Sequence, residues 1–223
     1  MWRSPRTQFI LALGASSLVS IGLLVYGSIT HNSGEFGYLA WNLFLAWLPL
    51  IFAVALSNTL RKKLWSSWEA LSLSALWLLF LPNSFYMISD FIHLQEVATK
   101  NVLYDTVLFT SFIFTGVVLG FSSLYLVHVQ LVKRFSPRAS AGWIGLTLLV
   151  CSGAFYIGRD LRWNSWDVLT NPGGLIFDVS DRLLHPSAYP EMFVTIVSFF
   201  VLLCSMYWLL WCGARLVRET PRV

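Results

Sequence analysis

The chain has 223 residues, of which 57% are hydrophobic and 12% are charged, and its mean hydropathy is +0.67. Soluble domains are typically about half apolar and about a quarter charged, so this composition excludes a soluble enzyme. The formal net charge is +4 and the isoelectric point is near 9.1. In a multi-pass protein such a basic excess reflects orientation in the bilayer, and we therefore expect no nucleic-acid partner.

Long apolar runs separated by charged clusters predict six transmembrane helices, because about 20 apolar residues cross a bilayer as a helix. The predicted spans cover about residues 8–29, 38–60, 68–88, 103–132, 141–158 and 192–214. They indicate an all-α, polytopic membrane helical bundle that forms a single integral membrane domain over residues 1–223. One longer outer loop, residues 159–191, separates the last two spans.

The distribution of basic residues predicts the orientation of these spans. Eleven of the 15 Lys and Arg residues lie at the termini or in connections on the same side as the termini. The other side has Lys100, Arg159, Arg162 and Arg182. Because basic residues are retained on the cytoplasmic side during insertion, we expect both termini to be cytoplasmic in a multi-pass protein of the cytoplasmic membrane.

The outer loop has two features of a segment at the membrane surface. An Asn-Pro-Gly-Gly turn at residues 171–174 divides the loop. After it, residues 174–184 mix apolar and charged side chains, which is compatible with an interfacial helix. Aromatic residues suited to the headgroup level lie on either side: Trp163, Trp166 and Tyr189.

Polar residues within predicted spans indicate sites, because hydrocarbon tolerates them only beside a partner or a water-filled cavity. The end of the third span and the residues that follow it read LPNSFYMISDFIHL, where Pro82 removes one backbone hydrogen bond. At 100° per residue, one face spanning about 80° has four polar residues: Asn83, Tyr86, Asp90 and His93. If the helix continues, Asn83 lies about 10 Å deeper than Asp90.

Other elements are expected to bring polar residues to the same outer level. The predicted outward-facing cluster contains Asn42, Asn83, Tyr86, Asp90, His93, Asp105, Arg159, Arg162, Asn164 and Asp167. The charged members also suit helix ends in the wet interface. Asn83 and Tyr86 equally suit contacts between helices around the Pro82 kink.

Three strings in this sequence have a recognisable order: WNLFLAWLPL at residues 41–50, LPNSFYMISDFIHL at 81–94 and GRDLRWNSWDVL at 158–169. Together they resemble the signatures of an uncharacterised bacterial multi-pass membrane family, a domain of unknown function. One departure is Phe85, where that family is expected to have proline. The resemblance implies an integral protein of a bacterial cytoplasmic membrane, and it transfers no catalytic residue.

Short motifs narrow the range of activities. The sequence lacks HExxH, GxSxG, GxxxxGK[ST] and GxGxxG, and the Asp90–His93 spacing alone is a weak metal signal. We therefore predict neither a metal nor a cofactor, and an enzymatic activity stays open. A guanidinium binds phosphate or carboxylate through paired hydrogen bonds, so Arg159 and Arg162 suit an anionic group.

Our first functional hypothesis is an outward-facing polar site for an amphiphilic or anionic envelope ligand. In it Arg159 and Arg162 bind charge, and Asp90 or His93 transfers a proton. One alternative is a small proton- or cation-coupled transporter that uses Asp90 and Asp105. The other is a membrane assembly or scaffold subunit. The expected partners are membrane lipids and an anionic amphiphile, whereas protein partners stay open.

Overall fold

The computed structural model describes residues 4–30, 36–96, 102–163 and 167–219. This part of the chain is helical throughout apart from short turns, and it contains no strand. The α-helices are α1 (Pro5–Thr30), α2 (Tyr38–Thr59), α3 (Trp68–Tyr86), α4 (His93–Glu96), α5 (Val102–Val132), α6 (Pro137–Arg159), α7 (Asp167–Thr170), α8 (Pro172–Leu184) and α9 (Pro190–Glu219). Short 3₁₀ helices cover Met87–Ile92 and Pro186–Ala188.

Within the described residues, six helical segments are long and apolar enough to cross a membrane. The predicted all-α, multi-pass architecture is therefore confirmed. The fifth segment begins at Pro137, earlier than the predicted residue 141. Ser136 explains the earlier start, because its Oγ accepts a hydrogen bond from the Ala139 N–H at 3.2 Å and Pro137 suits the first helical position.

The third membrane segment changes its helical form part-way along. The α3 helix begins after Ser67, whose Oγ accepts a bond from the Ala70 N–H at 3.4 Å. It ends at Tyr86 and continues as the 3₁₀ helix, instead of remaining α-helical to about residue 88. A 3₁₀ helix rises about 2.0 Å per residue and turns faster than an α-helix. Asp90 therefore extends further from Asn83 than an uninterrupted α-helix predicts.

The chain forms two compact units, residues 1–123 and 124–223, and the boundary falls inside α5. The single domain over residues 1–223 stays a prediction. In the first unit, buried side chains connect helices by hydrogen bonds. Ser84 Oγ donates to the Ala46 carbonyl at 3.3 Å, and Trp77 Nε1 donates to Ser123 Oγ at 3.2 Å. Such bonds replace the water that hydrocarbon lacks.

Two glycines allow α5 to lie against the end of α3. A Cβ atom added at Gly116 would collide with Met87 Sδ. At Gly120 it would lie 2.7 Å from Ser84 Cβ and 3.0 Å from the Phe85 ring. Small residues at such contacts let helix backbones approach closely in a membrane. The absence of a side chain at Gly120 therefore fixes the position of Ser84, which bonds to α2.

The second unit is built on the pairing of α6 with α9. Phe155 near the end of α6 stacks on Phe199 in α9, with ring centroids 3.6 Å apart. His128 of α5 shares a 2.9 Å hydrogen bond with the Tyr207 hydroxyl and stacks on Trp211 at 3.9 Å. Long apolar side chains elsewhere on α9, such as Leu209, are exposed and suited to contact with lipid.

We predict that Gly120→Ala lowers the melting temperature, whereas Gly145→Ala does not. Alanine is favoured over glycine in a helix by about 1 kcal/mol, but overpacking at Gly120 costs about 1–3 kcal/mol. Nothing lies within 4 Å of a Cβ at Gly145, which is also helical. Thermal unfolding of both variants in one detergent measures the difference. Equal melting temperatures would contradict the proposed close contact.

Candidate functional site

One candidate site is a buried polar pair in the first unit. Asp90 belongs to the 3₁₀ helix and its residue surface is only 2% exposed. Asn42 lies in the second turn of α2, and its Nδ2 donates to Asp90 Oδ2 at 3.3 Å. The structure thus brings together two residues of the predicted cluster that are far apart in sequence. A buried carboxylate requires such donors, because burial without them costs about 1–3 kcal/mol or more.

Asp105 is a second buried carboxylate in this unit. It lies in the first turn of α5 and is 1% exposed. A negative side chain at a helix N-terminus is stabilised by the backbone N–H groups and by the helix dipole. The sequence prediction included Asp105 in the outer polar cluster and noted that a charged residue there also suits a wet helix end. Its burial favours a protein environment instead.

The remaining polar residues of the third segment have local contacts. Asn83 is half-buried, and its Nδ2 donates to the Phe80 carbonyl at 3.2 Å within the same helix. Tyr86 is also half-buried and ends α3, and its carbonyl accepts a bond from Ser89 Oγ at 2.7 Å. The change to 3₁₀ geometry widens the face shared by these residues beyond the predicted 80°, because each 3₁₀ residue turns by about 120°.

Sequence reasoning missed two residues that belong to or contact the polar segment at the end of the third span. Ser84 is fully buried and bonds to α2, although it stands within the same motif as Asn83. Tyr38, the first residue of α2, packs edge-on against His93 with ring centroids 5.6 Å apart. Ser84 belongs to the string LPNSFYMISDFIHL, but no residue spacing identifies the Ala46 carbonyl as its partner. Tyr38 lies outside the three sequence strings, and its partner His93 is distant in sequence.

Among the residues that the structure describes, no three His, Cys, Asp or Glu side chains form a group suited to hold a metal ion. Asp90, His93 and Asp105 therefore do not form such a group. The three residues instead offer two buried carboxylates and one imidazole against a phenol ring. These groups are able to exchange protons or to orient a polar ligand.

A separate group of predicted residues lies at the end of α6 in the second unit. Arg159 lies in the last turn of α6 and is half-buried, whereas Arg162 is exposed. Arg162 has a φ angle of 57°, in the left-handed region that favours glycine. This conformation reverses the chain so that the Trp163 N–H donates to the Ile157 carbonyl at 3.3 Å. One carbonyl at the end of α6 is thereby satisfied.

The turn at Arg162 also orients the outer segment. The Trp163 indole Nε1 donates to Asp178 Oδ2 of α8 at 2.9 Å. Near the other end of α8, the Tyr189 hydroxyl donates to Asp181 Oδ2 at 2.9 Å. This bond and the negative charge of Asp181 raise the pKa of the Tyr189 phenol. The phenol therefore keeps its proton and remains a donor at neutral pH.

Asp167 and two neighbouring residues complete the list of predicted positions. Asp167 begins α7, is half-buried, and accepts a hydrogen bond from Thr170 Oγ1 at 3.4 Å. Asn164 and Trp166 lie outside the described residues. The convergence of the ten predicted residues on one site stays a prediction.

A comparison of the sequence with protein-family models identifies the family. Residues 41–205 match the model described as protein of unknown function, DUF1361. The chain belongs to the DUF1361 family. This confirms the resemblance to an uncharacterised membrane family. The DUF1361 match begins at Trp41, directly before Asn42, and includes the buried pair, the Arg162 turn and α8. Neither a curated protein nor a solved structure matches the chain.

We predict that Asn42→Ala destabilises the protein, whereas Asn58→Ala on the same helix has little effect. Removal of the Asn42 amide takes one hydrogen-bond donor from the buried Asp90 carboxylate, at a cost of about 1–3 kcal/mol. Asn58 is exposed and serves as the matched control. Thermal unfolding measures the effect. Adding Asp90→Ala to Asn42→Ala is expected to recover part of the loss, and strictly additive losses would contradict the pairing.

Proposed function

We propose that this integral membrane protein presents an outward-facing polar site to an amphiphilic ligand with an anionic head. The observation that carries the proposal is the exposed Arg162 side chain on a left-handed backbone. A left-handed residue with a Cβ atom costs about 1–2 kcal/mol relative to its right-handed form, a penalty that glycine avoids. The turn alone therefore favours glycine, and an arginine there implies a use for its guanidinium.

The surroundings of Arg162 support an amphiphile over a soluble anion. Arg159 lies one turn earlier in α6, at the end of a membrane-spanning segment. Two guanidinium groups at that level suit a phosphate or carboxylate head, while the chains of the ligand stay in the bilayer. The distribution of basic residues favours a ligand in the outer leaflet, because only four of the 15 Lys and Arg residues lie on the same predicted side as the end of α6. In the first unit, taken by itself, we propose Asp90 and His93 as proton-transfer groups, and no reaction is assigned to them.

The test is selective retention of an anionic lipid. Wild-type protein reconstituted with equal amounts of phosphatidylglycerol and phosphatidylethanolamine is expected to retain phosphatidylglycerol preferentially in native mass spectrometry. Arg162→Gly should reduce this preference severalfold, since the guanidinium is lost. Its melting temperature should stay the same or rise, because glycine relieves the left-handed strain by about 1 kcal/mol.

Arg138→Ala is the matched control, because Arg138 is an exposed arginine at the opposite end of α6. It should keep the wild-type lipid preference. If wild-type protein and Arg162→Gly retain the same lipids, the proposed site is wrong. If Arg138→Ala loses the preference equally, the binding depends on overall charge and not on this turn.

The buried carboxylates favour transport of protons as a second candidate function. Asp90 and Asp105 are 2% and 1% exposed in membrane-spanning segments, and ionisable residues there often mark proton pathways. Proteoliposomes filled with a pH-sensitive dye and given a pH gradient would report proton flux. We expect flux above that of protein-free vesicles, lost in Asp90→Asn and retained in Asp160→Asn, an exposed control. A wild-type rate equal to that of empty vesicles would contradict this candidate.

A further inference from the structure

The α8 helix in the outer segment has two chemically distinct faces. At 100° per residue, its exposed apolar side chains cover an arc of about 120°. They are Ile176, Phe177, Leu183 and Leu184, with exposures of 65%, 72%, 61% and 75%. The charged side chains Asp178, Asp181 and Arg182 lie on the opposite arc and are half-buried. The helix thus exposes its apolar face and covers its polar face, the reverse of a helix on a soluble protein.

Contacts of the polar face explain this reversed arrangement. Asp178 accepts the hydrogen bond from Trp163, and Arg182 Nη1 lies 4.0 Å from Asp178 Oδ1. The Arg182 guanidinium also lies over the Tyr189 ring, 4.9 Å from its centroid, while Tyr189 bonds to Asp181. The charged groups of the polar face therefore all have partners within the segment, and its two carboxylates and one guanidinium leave it without excess positive charge. They hold the apolar face away from the protein.

These contacts also place α8 at the level where two membrane spans end. Trp163 lies in the loop that follows α6, and Tyr189 directly precedes α9. The two spans pack together near these ends, as the stacking of Phe155 on Phe199 shows. A helix bonded to both flanking residues is consequently close to the boundary between hydrocarbon and headgroups. Trp and Tyr side chains are typical of that level.

We infer that α8 is an in-plane membrane helix whose apolar face inserts into the lipid of the bilayer. The occupant of the face is lipid because the helix is fixed to the ends of two adjacent spans, so its apolar face continues the lipid-facing surface of the protein. Insertion about 5–10 Å into the boundary between headgroups and acyl chains is typical of such helices. Because the polar face has two carboxylates and only one guanidinium, α8 needs no anionic lipid, in contrast to the ligand proposed for Arg162.

The test compares spin labels on the two faces of α8 in the full-length protein. The native cysteines, Cys151, Cys204 and Cys212, are first replaced by alanine. Single labels are then placed by Phe177→Cys and Leu183→Cys on the apolar face, with His185→Cys as the exposed control on the opposite arc. The protein is reconstituted in vesicles of phosphatidylcholine alone. Electron paramagnetic resonance measures collisions with oxygen, which concentrates in lipid, and with a water-soluble nickel complex.

Both apolar-face labels are expected to have an oxygen-to-nickel collision ratio severalfold above that of the His185→Cys label. A high ratio at only one of the two positions would overturn the in-plane orientation. Preferential nickel collisions at both would place the face in water and overturn the proposal. Low collisions with both reagents would mean that a second copy of the chain covers the face, and would also overturn it. Since the vesicles lack anionic lipid, the outcome is independent of the function proposed for Arg162.

Discussion

Polar groups within the membrane spans must be satisfied by the protein itself, because hydrocarbon offers them no water. In the first unit this constraint acts through the contact of α5 with the end of α3. Gly120 leaves room for Ser84, and the Ser84 hydroxyl reaches the backbone carbonyl of Ala46. One position without a side chain thereby allows a hydrogen bond between two other helices. The placement of Asn42 opposite Asp90 depends on the resulting relation of α2 to α3.

The end of the third span combines two departures from a regular α-helix. Pro82 lacks a backbone N–H, so one carbonyl of α3 loses its bond within the helix. Five residues later, at Met87, the helix tightens to the 3₁₀ form. The tighter and steeper path carries Asp90 away from the α-helical face of Asn83 and into a buried position beside α2. The polar chemistry of this segment is therefore created by its irregular geometry.

The sequence predicted those features that depend on local composition. Apolar runs predict the membrane helices, since a span requires an apolar length that few other structures need. The mixed apolar and charged residues at 174–184 likewise predict a helix, and the structure has α8 there. Hydropathy contains no information about partners distant in sequence, however. It therefore missed the contact of Tyr38 with His93, and it placed Asn42 and Asp90 at the same level without pairing them.

The candidate site was harder to predict because backbone conformation decides much of it. A helical wheel assumes a constant turn per residue, and this assumption fails after Tyr86. Composition also does not predict the left-handed backbone of Arg162, since glycine or asparagine usually occupies such a position. The motif GRDLRWNSWDVL indicated the importance of Arg162 and Trp163 without indicating that they form one turn. The structure adds the left-handed φ angle of Arg162, which lets the Trp163 N–H bond to the Ile157 carbonyl.

This turn links the presentation of charge to the orientation of α8. The left-handed conformation of Arg162 sends Trp163 back toward α6, where its N–H satisfies the Ile157 carbonyl. From that position the Trp163 indole bonds to Asp178 and fixes the polar face of α8. Glycine at position 162 would preserve the turn and the bonds of Trp163 while removing only the guanidinium. Ending α6 and orienting α8 therefore do not require the arginine side chain, and the binding of an anionic group that we propose would give it a role.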